Sequence, residues 1–348
     1  MFKPIVIVST ILGISGCYYL KNSYYHGKIL FQAKNIEKWL NDPSLTERER
    51  KKILLAKDVL DFVEQQLGLK THGNYRNYVR LDRRHVSYLL TAAPKWKLEA
   101  KKWWYLVVGE LPYRGYVFES EALSEAHELE QKGYDTFVRG VTAYSTLGWF
   151  KDPILSTMLD YSDEDFVELI IHELIHANVF VEGYGDFNEQ LASFLGNWGA
   201  ILFYESHPSL DLSVKEQAIK ELRNSLEEKI QFALFLKEQG PLLERWYEDR
   251  VRYFFPQKID LSSEAWKTFI VERGRKLLEI AQECEKRKLK YCRYISNNAQ
   301  ILAFATYYEG VPHLQKLALK GSFSFRDFFT FVKNMVDSGN INTIIEEF

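Results

Sequence analysis

The 348-residue chain is poor in cysteine, methionine and histidine, with three, three and eight residues. It also lacks an excess of either charge, its formal net charge being −2 at pH 7. A protein that holds nucleic acid by its phosphates carries a basic footprint, so near-neutrality argues against that class of partner. No repeat, low-complexity tract or Pro/Gly-rich linker divides the chain, which reads as one large body. The apolar stretch from Pro4 to Gly16, behind Lys3, is too short to span a bilayer as a helix. It has the proportions of a signal peptide. Beyond Cys17 only Cys284 and Cys292 remain. On one continuous helix they would lie about 12 Å apart, too far to bridge, so they read as two free or structural thiols unless the chain bends around Lys288–Lys290.

Because histidine is scarce, two of them four residues apart carry information. His172, Glu173 and His176 spell HELIH, a pattern with odds of roughly one in a hundred of arising by chance in such a chain. The surrounding run FVELIIHELIHANVFVEG has helical apolar spacing. Ser162 with Asp163, Glu164 and Asp165 forms a start signal, and Gly183 a stop. Residues four apart share a helix face, so both imidazoles can address one metal ion. Glu173 lies about 100° around the helix, beside that ion and in position to act as a base. Unpartnered, such polar groups on a half-buried helix would be costly.

A third histidine ligand is excluded, since position 179 is Val and position 182 is Glu. Glu182 would point away on a continued helix. Glu189, in FNEQLASF, opens a second helical pattern able to fold back, and the small Ala192 three residues on permits close helix approach. Two imidazoles and one carboxylate leave a fourth zinc position open, the mark of a catalytic site. A Zn2+ ion there would acidify a water and polarise a carbonyl, with Glu173 moving the proton. Glu168, four before His172, is a candidate to orient that histidine. The competing reading is a non-catalytic lipoprotein stabilised by zinc and acting as a binding or scaffold protein; a structural site, however, needs no base.

The blocks ISGCYYL (14–20), GNYRNYV (73–79), TAAPKW (91–96), PYRGYVF (112–118), GYDTFVRGVTAYSTLGWFKDPILSTM (133–158), IHELIHANVF (171–180), FNEQLASF (187–194) and SNNAQILAFATYYEGVP (296–312) resemble, in order, the bacterial putative-aminopeptidase lipoproteins, a group of gluzincin-type zinc peptidases. The resemblance implies a periplasm-facing zinc metallopeptidase acting on peptides. Ile14-Ser15-Gly16-Cys17 resembles a lipobox, which implies a signal peptide over 1–16, lipidation of Cys17 and membrane attachment through it. Tyr18 in place of Asp suggests by analogy the outer membrane. The GxMEN-type string that grips a free amino terminus in other zinc aminopeptidases is absent. Candidate oxyanion or substrate contacts from the shared blocks are Tyr307 or Tyr308, Asn297 or Asn298, Arg114 and Tyr144. The string RGVTAYSTLGW is a candidate edge strand for pairing with a peptide.

Helical patterns cover 29–40 and 45–69, where TERERKK reads as a solvated face. Strand composition marks 103–109, 113–118 and 134–143, with an amphipathic helix over 119–133 between the last two. From 163 onward nearly everything reads helical. The expected fold is α+β and helix-dominated: a zincin-like helical body with a small β-sheet beside the metal-binding helix, forming a single zinc metallopeptidase domain over 17–348.

Overall fold

A side-chain acceptor stands ahead of most of the longer helices, and these caps fix where the chain turns. The structure is a computed structural model that describes residues 21–105, 109–143, 146 and 150–345. Helix α1 spans 21–32. Next come strand β1 (Lys34–Asn35), α2 (Ile36–Leu40) and α3 (Glu47–Phe62), which runs into a π-helical turn, Val63–Leu67. Strands β2 (Asn77–Val79), β3 (Ser87–Pro94), β4 (Trp103–Tyr105), β5 (Gly109–Leu111) and β6 (Tyr113–Tyr116) follow. Helix α4 (Glu119–Gln131) precedes β7 (Tyr134–Val141) and β8 (Ile154–Leu155). The remainder is helical: α5 (Asp163–Asn178), α6 (Gly185–Ser206), α7 (Leu212–Phe254), α8 (Glu264–Lys286), α9 (Asn298–Tyr308), α10 (Val311–Lys320), α11 (Phe325–Asp337) and α12 (Asn342–Ile345). The fold is α+β and helix-dominated. Among the described residues no helix is long and apolar enough to cross a membrane.

The sheet that lines a cavity together with the HELIH helix has strand order β6-β3-β7, antiparallel throughout, with Leu89 opposite both Gly115 and Arg139. Alternation turns Leu90, Tyr116 and Val138 onto α4, in a small core with Ala122, Ala126 and Leu129. The other face, carrying Tyr113, Gly115, Leu89, Phe137 and Arg139, looks into a cavity. The largest core joins α3, α5, α6 and the first half of α7, and a second joins the rest of α7 to α8 and α9. Helix α9 is pinned to the end of the sheet by a buried network. Asn298 accepts from Tyr247 at 2.7 Å and donates its backbone N–H to Asp135 at 2.8 Å and its amide to the Pro94 carbonyl at 2.9 Å. Arg273 pairs with Asp135 and donates to the Tyr247 hydroxyl at 3.1 Å.

Four expectations need correction. Cys284 and Cys292 form a disulfide, with Cα atoms 5.7 Å apart. Helix α8 ends at Lys286 and the chain turns back over Lys288 at φ 58°, so no continuous helix holds the sulfurs apart. The run 103–109 is not one strand: β4 pairs antiparallel with β5, Tyr105 opposite Gly109. The helix expected over 29–40 breaks at Ala33, because Lys34 and Asn35 pair with β2 and the Asn35 side chain caps α2. TERERKK is not wholly solvated. Glu49 turns in to accept from Arg80 and Tyr78, and Lys52 donates to the carbonyls of Tyr161 and Ser162 at the start of α5.

Candidate metal centre

Ser162 caps α5 by accepting from the Asp165 N–H at 3.1 Å, and three acids in the first turn suit the positive end of the helix. Phe166, Val167, Ile170, Ile171, Leu174 and Ile175 bury one broad face. The helix stops at Asn178, short of the expected Gly183, and Glu182 is exposed. What folds α6 back is the residue next to Glu189. The Asn188 amide accepts from the Val181 N–H at 2.9 Å and donates to the Val181 carbonyl at 2.8 Å, closing the turn. The helices are closest where α6 has no side chain: a Cβ on Gly196 would lie 3.1 Å from the Glu168 carbonyl oxygen and 3.2 Å from His172 Cβ. Ala192, with no exposed surface, packs one turn earlier.

This packing brings three donors together. His172 Nε2 lies 3.1 Å from His176 Nε2, and Glu189 Oε2 lies 3.4 and 3.6 Å from them. Tetrahedral zinc with bonds near 2.0–2.1 Å separates neighbouring ligand atoms by roughly 3.3–3.4 Å, close to all three distances. The donor chemistry agrees, since two imidazole nitrogens facing one another require either a proton or a cation between them. No fourth His, Cys, Asp or Glu donor joins the group among the described residues. The residues therefore fit a divalent ion held by three protein ligands. One detail runs against the usual pattern: His176 Nδ1 is buried with no hydrogen-bond partner among the described residues.

Electrostatics follow the geometry. Burial alone would raise the Glu189 carboxyl, but the His176 charge and hydrogen bonds from both imidazoles hold it well below the usual range. For His176 burial works downward, and the Glu189 charge more than offsets it. Burial pushes Glu173 up, helped by the Glu189 charge and opposed by the two histidines. Glu173 itself faces the cavity and makes no hydrogen bond or ion pair among the described residues.

The cavity measures about 1110 Å³, and one face of α1, with Asn22, Ser23, His26 and Gly27, lines it. Tyr307 and Tyr308 line it too, Tyr307 accepting from Arg139 at 2.7 Å. Arg114, on the opposite face of β6, donates to Glu125 at 3.1 Å and does not reach the metal cluster. Asn298 sits in the buried network described above, and Asn297 caps α9 and donates to the Thr136 carbonyl at 3.3 Å. Tyr144 and Cys17 lie outside the described residues. Glu168 turns from His172 to Lys229 at 3.6 Å and Asn197 at 3.0 Å.

Two site residues are missing from the sequence reading. Tyr113 donates its hydroxyl to Glu189 Oε1 at 3.1 Å, and Arg139 carries its guanidinium into the cavity. Period-two alternation was the available signal: it sets Tyr113 and Gly115 on one face of β6 and Arg114 on the other. A family model described as putative aminopeptidase matches residues 17–342. No curated protein and no solved structure matches the chain.

Proposed function

The chain belongs to the putative aminopeptidase family, and from that premise we propose that it is a zinc-dependent peptidase of the gluzincin type, using Glu173 as its general base. The observation that carries this is a carboxylate with no hydrogen-bond or ion-pair partner among the described residues, placed beside three converging donors and facing a cavity. A structural clamp would use every acid as a ligand or a pair; Glu173 is neither.

His172, His176 and Glu189 would hold the ion, which when bound supplies Lewis acidity toward a carbonyl and a water. Tyr113 keeps one Glu189 oxygen engaged, so the other faces the imidazoles. Glu173, its proton affinity raised by burial, takes a proton from the attacking water and passes it to the leaving amine. The Tyr307 oxygen accepts from Arg139, which leaves its own proton free to point into the cavity toward a developing oxyanion. Strand β7 pairs with β3 along one side, and among the described residues no strand occupies its other edge. That edge, beyond Thr136 whose carbonyl accepts from Asn297, is available for an extended peptide.

The reading extends to location. A lipid on Cys17 would tether the protein to the bacterial envelope facing the periplasm, at the outer membrane, with residues 1–16 removed as signal peptide. The Cys284–Cys292 disulfide supports an oxidising compartment. Helix α1, described from residue 21, lines the cavity, which would lie beside the membrane surface. The zincin-like relation of α5 and α6, and one metallopeptidase domain over 17–348, belong to the same proposal.

The test incubates the zinc-loaded protein with a mixed peptide library and reads products by mass spectrometry. Trimming one residue at a time from the amino terminus supports the family's label; internal cuts remove it. Glu173→Gln should retain zinc and lose nearly all turnover. A variant that cleaves at the wild-type rate would overturn the assigned base.

A further inference from the structure

The cavity contains a cation that the proposed chemistry does not consume. Arg139 stands on β7, in the row Gly115–Leu89–Arg139 that crosses the sheet on its cavity face. Its guanidinium lies 4.8 Å from the Tyr307 ring centroid and donates to the Tyr307 hydroxyl at 2.7 Å. A guanidinium has five N–H donors in a planar fork. No carboxylate pairs with Arg139 among the described residues, although every other cation reaching this cavity has one: Lys229 has Glu168 at 3.6 Å.

The acids around it have other roles. Glu189 faces the histidines and Tyr113, and Glu173 stands beside the metal cluster. Asp165 is exposed in the first turn of α5, at the rim. With a divalent ion bound, its charge is balanced by Glu173 and Glu189, and Glu168 is balanced by Lys229. Among the described residues Arg139 is then the cavity cation with no ion-paired carboxylate of its own, since Glu189, whose charge acts on it, faces the histidines. A half-buried cation without an ion-paired carboxylate gains a charge-assisted hydrogen bond when an anion arrives. Gly115 on the same row carries no side chain into the cavity, and among the described residues a Cβ there would meet Leu89 Cδ2 at 3.7 Å. Tyr307 holds the fork from one side, so less side-chain freedom is lost when a ligand docks.

We propose that Arg139, oriented by Tyr307, is the receptor for a carboxylate of the peptide substrate, so that the site selects short peptides ending in a free acid or bearing an acidic side chain. This rests on the peptidase reading of the same cavity. Arg139 acts here as a specificity residue, through the N–H groups that its bond to Tyr307 leaves unused.

The experiment separates the two claims by measuring binding without turnover. Full-length, zinc-loaded Glu173→Gln protein is titrated by calorimetry with Ala-Ala-Ala, its C-terminal amide, and the amides Ala-Glu-Ala and Ala-Gln-Ala; the metal-free protein is titrated in parallel. A free terminal carboxylate should tighten binding roughly 10- to 100-fold over the amide if the terminus is read, and Glu over Gln if the side chain is read. Arg139→Gln should remove that preference, and Arg139→Lys should restore part of it. In the active enzyme the same preference should appear in KM more than in kcat. Equal binding of acid and amide and of Glu and Gln peptides overturns the proposal without any Arg139 variant. So does a preference that survives Arg139→Gln. If no peptide is hydrolysed while the carboxylate preference in binding persists, the peptidase reading fails and the anion receptor stands.

Discussion

Two glycines in helix interiors should respond oppositely to the same substitution. In Gly274→Ala the new Cβ meets nothing within 4 Å, so the change acts through the backbone alone. Alanine restricts the unfolded chain and suits a helix, which should stabilise by about 0.5–1 kcal/mol. In Gly196→Ala the same gain is opposed by contacts at 3.1 Å to the Glu168 carbonyl, 3.2 Å to His172 Cβ and 3.3 Å to His172 Cα. Two of the three atoms are backbone of α5 and cannot rotate aside, so α5 and α6 must separate by a few tenths of an ångström. Overpacking of this kind costs about 1–3 kcal/mol, leaving a net loss of up to about 2 kcal/mol. The separation also widens the triangle of His172, His176 and Glu189, because the histidines ride on α5 and the carboxylate on α6. Urea denaturation measures the stabilities, and competition against a chromophoric chelator measures zinc affinity. Gly196→Ala should lose zinc affinity by roughly tenfold or more, comparable to disturbing outer partners of a metal site. If both variants gain stability equally and bind zinc alike, the closeness of the two helices does not set the metal geometry.

Tyr113→Phe removes the hydroxyl that engages Glu189 Oε1 and should weaken zinc binding roughly 10- to 100-fold with little change in fold, read by the same competition assay and by circular dichroism. Reducing Cys284–Cys292 opens a short loop and should lower stability by about 2–3 kcal/mol; equal urea midpoints with and without reductant would contradict this. Asp152 gives a pH signature in metal-free protein. Its burial, only partly offset by hydrogen bonds from Thr146, raises the carboxyl to about 6, whereas the unfolded chain releases that proton near 3.9. Between these values the unfolded state sheds a proton that the folded state keeps, so stability falls as pH rises, by up to about 3 kcal/mol at pH 7. Asp152→Asn should flatten this loss between pH 4 and 7, and identical slopes for both proteins would refute the assignment.

How much of this was legible in the linear chain depended on distance along it. Ser162 with three acids marked the start of α5, and the helix begins there, because a cap and its N–H lie within three residues. The carboxylate at 189 was legible for a similar reason: one turn, closed by Asn188 and Val181, separates the two helices. The central strand β3 is absent from the sequence reading. Ser87–Pro94 ends in Ala92, Ala93 and Pro94, residues depleted in strands, which are held by pairing with β7 rather than by their own propensity. The disulfide was missed for the opposite reason: the continuous helix was preferred to a bend around Lys288–Lys290, and the chain does turn at Lys288.

Within the site the division is sharper. HELIH encodes the relation of three side chains on one rigid element, so its spacing alone fixes their geometry. Arg114 and Arg139 are both strand arginines in shared blocks, and nothing in either block says which one faces the cavity. The answer is a parity: Arg139 stands opposite Leu89, on the face that looks toward α5, whereas Arg114 stands opposite Leu90, on the face that packs α4. Parity is set by which face of the sheet the body covers, and that depends on α9 being pinned by Asn298 to Asp135 and Pro94, partners more than 150 residues distant. The three residues that could hold a metal ion could thus be read from the chain by spacing. The residue proposed to recognise substrate could be reached only after the register of β3 with β7 was known.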